Sequence, residues 1–323
     1  MFRTEIQIPP SGVRIDHQSG IITIGSCFSD VMGAKLVSNK FKVLANPYGI
    51  VFNPESIFTL INASLDKNEF PNDGYLETNN IWRNYYFHSE LYGNSKEELS
   101  RKINERKALA HDFLLKARIL TITFGTAYVY RLKSNQEVVS NCHKMPASLF
   151  TKELLTSEQI IKSFDLFYKK IIIANPGLKI ILTVSPVRHI KDSIQLNSVS
   201  KSILRMACHN LAKSNENISY FPAYEIMMDD LRDYRFYKED MIHPTEVAEN
   251  YIWEKFIDTY FETKSKEFIK EWSGILRALE HKPFHPESES HQAFIKETIK
   301  KIKGLQGDID MSYELIMLEK QLK

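Results

Sequence analysis

Two short stretches of this sequence carry the residue types that acyl transfer uses. Gly25-Ser26-Cys27-Phe28 directly follows the apolar run Gly20-Ile21-Ile22-Thr23-Ile24, and Asp240-Met241-Ile242-His243-Pro244 lies more than 200 residues further along. A hydroxyl or thiol placed where a strand turns into a helix stands among outward-facing backbone N–H groups that favour negative charge. Those N–H groups can stabilise both the anion of a nucleophile and the oxyanion it forms on a carbonyl. Asp240 and His243, three residues apart, fit on one turn, where the carboxylate can orient the imidazole as a base. Each motif alone is short enough to arise by chance. Together they make a nucleophile, a base and an orienter.

The elements that must bring them together are legible as alternating strands and helices. Gly20–Ile24 reads as a buried strand, and the Phe28, Val31, Met32, Leu36 spacing after it as a helix. Phe41–Asn46 is a second buried strand, followed by a loop and by Asn53-Pro54, an N-cap with proline at the first helical position. Residues 70–92 read as a hairpin turning at Asn79-Asn80. A helix over Glu97–Lys116 leads to the third strand, Arg118–Phe124, and a second hairpin turns at Ser134-Asn135. A helix from about Lys152, the strand Lys179–Pro186, a helix over Ser198–Lys213 and a fifth strand, ISYFPAYE, complete the alternation. Five buried strands separated by helices imply a parallel sheet covered on both faces, with its site beyond the carboxyl ends of the strands. That places chemistry near residues 25, 47, 125, 185 and 223.

The stretch IGSCFSDVMGAKL resembles the opening motif of the GSCFA family, which is related to the SGNH (GDSL-type) esterases and acyltransferases. The resemblance implies an α/β, flavodoxin-like three-layer fold: a five-stranded, mostly parallel sheet, two inserted β-hairpins and a C-terminal helical appendage. It also implies a catalytic serine after the first strand and a DxxH motif after the last, which Asp240 and His243 match. Gly49 matches the glycine whose N–H supports the oxyanion. A gap-free alignment of GDSL puts Cys27 on the nucleophile position and Ser26 on the aspartate; a one-residue shift restores Ser26 as nucleophile. The GxND block falls on Gly125-Thr126-Ala127-Tyr128, so Ala127 stands where the relatives have asparagine. Thr126, and Asn141 or His143 from the following NCHKMP segment, are the candidates to supply the missing donor. In the gap-free register Cys27 faces His243 with its thiol pKa below the free value of about 8.5. Ser26 is then hydrogen-bonded to backbone near the turn and Phe28 turns to the core.

The expected function is therefore an acyl-ester hydrolase or acyltransferase acting on an acylated glycan or small ester, with no cofactor. Its rival is a non-catalytic carbohydrate- or ligand-binding module that keeps the fold. Cys27, Cys142, His143 and His243 are metal-ligand types, but no CxxC or HxxxH spacing supports a centre and no metal is assigned. With 42 Lys and Arg against 40 Asp and Glu, the formal charge of +2 offers no footprint for nucleic acid. No window approaches the roughly 18 apolar residues of a membrane span, and MFRTEIQIPPSG lacks the apolar core of a secretion signal. A cytoplasmic location is the expectation. Residues 1–261 read as the SGNH-like domain and 262–323 as a Lys- and Glu-rich helical appendage that can pack on the domain or join two copies.

Overall fold

The computed structural model describes residues 4–9, 11–305 and 309–322. Its sheet forms where the sequence is richest in β-branched apolar residues. β1 (Gly20–Gly25) leads into α1 (Cys27–Ser38), then β2 (Lys42–Ala45) and α2 (Pro54–Leu65), whose cap Asn53 accepts the Ser56 N–H. A hairpin of β3 (Tyr75–Thr78) and β4 (Ile81–Asn84) turns at Asn79-Asn80, both at positive φ, as a tight hairpin turn requires. α3 (Lys96–Leu114) and β5 (Ile119–Phe124) follow, then β6 (Tyr128–Leu132), β7 (Val138–Val139) and β8 (Phe150–Leu154). α4 (Ser157–Ala174), β9 (Lys179–Val184), α5 (Ile194–Ser214) and β10 (Ile218–Phe221) complete the alternation.

The five long-range strands pair parallel in the order β10-β9-β5-β1-β2. Numbered among themselves this is 2-1-3-4-5, the flavodoxin-like order, whose crevice opens between the first and third strands. Here that is the gap between the ends of β1 and β5. The side chains alternate across the sheet. Ile22 and Ile24 join a core with Phe58, Leu99, Phe164 and Leu204 from α2 to α5. Ile21 joins Phe28 and Met32 of α1 in a second core on the opposite face.

Three departures from the sequence reading have local causes. β2 is the edge strand, so Lys42 and Ala45 are exposed rather than buried. Residues 150–154 extend the second hairpin to three strands by pairing along β6, and the helix starts only at Ser157, where Thr156 and Gln159 form a capping box. The fifth strand stops at Phe221 because Pro222 cannot donate to the ladder. The chain then makes one turn, α6 (Ala223–Glu225), that widens into a π-turn over Ile226–Asp230.

α7 (Glu246–Tyr260) covers the second core with α1. α8 (Thr263–Glu280), α9 (Glu289–Gly304) and α10 (Ser312–Glu319) gather their own cluster around Trp272, whose indole N–H donates to Ser38 O at 2.8 Å. Ile15 and Phe261 form a β-bridge: the Ile15 N–H donates to Tyr260 O at 2.8 Å and the Glu262 N–H to Ile15 O at 3.1 Å. Among the described residues no helix is long and apolar enough to cross a membrane.

Candidate active site

The end of β1 is pinned on three sides. The Gly25 N–H donates to Asn46 Oδ1 at 2.8 Å, the Ser26 N–H to Thr123 O at 3.1 Å, and Gly25 O accepts the Val51 N–H at 2.9 Å. Gly25 holds φ +148°, and a Cβ there would lie 2.2 Å from Thr123 O, so only glycine passes this turn. Helix α1 then starts at Cys27. Phe28 is buried against the sheet, Cys27 is half-buried, and Ser26 is wholly buried. Among the described residues Ser26 makes no capping bond and its buried Oγ has no hydrogen-bond partner, contrary to the expected backbone hydrogen bond.

The thiol also departs from expectation. Burial pushes the Cys27 pKa above its ordinary value and the Asp30 carboxylate adds to it. The N–H groups of Phe28 and Cys27 and the Lys201 ammonium pull the other way without reversing the shift. Asp30 itself accepts a hydrogen bond from Asn46 Nδ2.

His243 Nδ1–H donates to Asp240 Oδ2 at 2.7 Å, and Asp240 Oδ1 accepts the N–H groups of Ile242 (2.8 Å) and His243 (3.0 Å). Those bonds, the His243 N–H and imidazole foremost, hold the Asp240 carboxyl well below the usual carboxylate range. Both side chains remain open, at 42% and 45% exposure. The loop is tied to the segment after β9 by the Arg188 N–H, which donates to Ile242 O at 3.2 Å. The pair therefore stands at the carboxyl end of the sheet. Among the described residues no hydrogen bond joins His243 to Ser26 or Cys27.

Most of the expected oxyanion donors are occupied. The Gly49 N–H donates to Asn46 O at 2.8 Å, which uses it to close the loop after β2. The Thr126 N–H donates to Phe52 O at 3.1 Å, and Thr126 Oγ1 lies 3.1 Å from Ser200 Oγ and accepts the Tyr128 N–H. Asn141 and His143 clasp the two hairpin insertions together. Asn141 Nδ2 donates to Ser89 Oγ (3.1 Å), Ser89 donates to His143 Nδ1 (3.1 Å), and His143 Nε2–H donates to Asn84 O (2.9 Å). Among the described residues no three His, Cys, Asp or Glu side chains group as metal ligands, so Cys27, Cys142, His143 and His243 do not converge.

Two residues absent from the sequence reading lie where the crevice was expected. Lys201 is 1% exposed, and its ammonium donates to Gly125 O (2.8 Å) and Ser185 O (2.7 Å), joining the ends of β5 and β9. Burial brings its pKa down to about 7, and Cys27 is the charge partner that offsets this. His189 is held neutral, its pKa lowered to about 4 by burial and by the fields of Lys201 and His243. Lys201 thus interacts electrostatically with Cys27, and His189 with both Lys201 and His243. A signal for Lys201 exists in the sequence: it interrupts the inward stripe Asn197, Leu204, Cys208, Leu211 of α5 with a charge. His189 follows the fourth parallel strand, next to the expected position at residue 185.

His189 also lines a cleft of about 470 Å³, walled further by Phe52, Thr126, Tyr128, Tyr130, Asn141, Cys142 and Lys152. The segment after the second hairpin lines this cleft through Asn141, Cys142 and Met145. Lys152 lies 4.3 Å above the Tyr128 ring and pairs with Asp192.

The GSCFA family model matches residues 20–256, and the model described as GSCFA domain protein, C-terminal domain, matches residues 272–323. No curated protein matches the chain. Among solved structures, the chain is similar to a carbohydrate esterase family 3 from Talaromyces cellulolyticus, at 8% identity and TM-score 0.36, covering 78% of this chain and 99% of that one. It is also similar to an acetyl xylan esterase from the rumen bacterium Butyrivibrio proteoclasticus, at 12% identity and TM-score 0.34, covering 76% of this chain and 64% of that one.

Proposed function

The chain belongs to the GSCFA family, and from that premise we propose that it transfers acyl groups from esters, as a hydrolase or an acyltransferase. The observation that carries this reading is the Asp240–His243 pair, oriented at 2.7 Å at the carboxyl end of the sheet. A carboxylate fixes which ring nitrogen holds the proton, and Nε2 is left as the base. In this reading His243 takes the proton of Cys27 or Ser26 as the sulfur or oxygen bonds to the ester carbonyl carbon. The tetrahedral oxyanion is held by the uncapped N–H groups of Cys27 and Phe28 at the start of α1. The C–O bond to the leaving alcohol then breaks, and His243 returns the proton to it. Water or an acceptor hydroxyl removes the acyl group by the reverse steps. Small or glycan-linked acyl esters are the substrate class, held in the cleft beside His189. Residues 1–261 form the catalytic unit in this reading and 262–323 its helical appendage.

The test compares Cys27→Ala, Ser26→Ala and His243→Ala in turnover of p-nitrophenyl acetate and in labelling by iodoacetamide and a fluorophosphonate. Loss of turnover in Cys27→Ala and His243→Ala, with retention in Ser26→Ala, is expected. Loss in Ser26→Ala with retention in Cys27→Ala returns the site to a serine mechanism. One observation favours a second reading, a ligand-binding module: the N–H groups of Gly49 and Thr126 are already spent on Asn46 O and Phe52 O. That reading prevails when neither Ser26 nor Cys27 labels faster than a surface residue.

A further inference from the structure

We infer that His189 is a catalytic residue that donates a hydrogen bond to the oxyanion, in place of the asparagine that Ala127 does not provide. The assignment rests on the acyl-transfer reading. The need for it arises because Ala127 has no donor in its side chain, and the expected substitutes, Asn141 and His143, are bonded to Ser89 and Asn84.

His189 occupies the right place by a different route through the fold. Phe124 of β5 pairs with Val184 of β9, so the segments that leave these two strands emerge side by side. His189 Nε2 lies 3.0 Å from where a Cβ on Gly125 would stand, and Gly125 is two residues before Ala127. The missing side chain at Gly125 is what leaves room for the imidazole. Any other residue there would meet the ring.

The residue is also held in place from two sides. The main-chain N–H of His189 donates to Asn197 Oδ1 at 2.9 Å, and Phe52 packs edge-on against the imidazole with centroids 5.3 Å apart. Nε2 is buried, and among the described residues it has no hydrogen-bond partner. A buried polar atom without a partner costs about 1–3 kcal/mol, and each such atom calls for an explanation, a catalytic role among them. Both His189 and Thr126 line the cleft that a substrate would fill, and Nε2 lies between that wall and Gly125. The ring is neutral, by burial and the fields of Lys201 and His243. A neutral imidazole with the proton on Nε2 donates to a developing oxyanion without surrendering that proton, so no bond to hydrogen is made or broken at His189.

The test uses the full chain with His189→Ala, His189→Phe and His189→Gln beside wild type and His243→Ala, following kcat and KM for p-nitrophenyl acetate. The Ala and Phe variants should lose on the order of 10²–10³-fold in kcat with little change in KM. His189→Gln, whose amide keeps an N–H donor, should recover most of it. If His189→Ala does not fold, the Phe and Gln variants make the same comparison, because Phe keeps the ring volume. Wild-type kcat in the Phe or Ala variant, or equal losses in Gln and Phe, overturns the assignment while turnover above His243→Ala leaves the acyl-transfer reading standing. Wild type no faster than His243→Ala overturns that reading and the role of His189 with it.

Discussion

At the scale of single residues the site separates what is charged from what is buried. Asp240 is open to solvent, where an ion pair adds little to stability, so its value lies in orienting His243. Asp240→Asn should leave the melting temperature unchanged and lower kcat on the order of 10²–10⁴-fold, the range that general acid–base catalysis supplies. Ser26 is the reverse case. Among the described residues its buried Oγ has no hydrogen-bond partner, and removing an unsatisfied group should raise stability by about 1 kcal/mol in Ser26→Ala, measured by denaturant unfolding. His189 links stability to pH. Its folded pKa of about 4 lies below the ordinary 6.5, so between those values the unfolded chain binds a proton that the folded chain does not. Stability should fall as pH drops from about 6.5 to 4, by roughly 3 kcal/mol, and this slope should flatten in His189→Gln. The Asp240–His243 pair was readable from sequence because both partners sit on one turn. His189 and Lys201 were not, because their meaning comes from neighbours 60 to 170 residues away, Gly125 and Cys27.

At the scale of elements, turn chemistry decides where Ser26 and Cys27 stand. Gly25→Ala would drive a Cβ into Thr123 O, and the cost should reach several kcal/mol because the neighbour is backbone and cannot rotate away. Thermal unfolding of that variant reads it directly. The strands of the sheet were legible wherever an apolar β-branched run was buried on both faces, as in β1, β5 and β9. The start of α4 was misread because Leu154 fits both a helical stripe and the alternation of β8. The capping box at Thr156 and Gln159 decides between them, and it is present in the sequence. The length of β10 was overread for a similar reason: Ala223 and Tyr224 suit a strand, but Pro222 ends the ladder. Lys201 acts at this scale too. It ties β5 to β9 through two carbonyls, partners that the charge in the inward stripe of α5 does not name.

At the scale of the whole molecule the C-terminal helices gather a cluster of their own, while α8 also places Ile269 in the second core. Trp272 centres their cluster and meets the α/β unit through Ser38 O. Trp272→Ala should cost about 3–5 kcal/mol yet leave the alkylation rate of Cys27 by iodoacetamide unchanged in the folded protein, because Trp272 and Cys27 pack in separate clusters. The α/β order was readable from the alternation of strands and helices; the seating of the tail was not, since amphipathic periodicity names a buried face without naming what covers it. The bridge between Ile15 and Phe261 has a topological consequence. The path of the α/β unit begins and ends at one seam, so a short covalent link from residue 261 back to residue 15 would close it into a ring without rerouting any strand. Its native termini then become a matter of where the ring is cut, and an opening at the exposed Ser134-Asn135 turn would leave every parallel pairing intact.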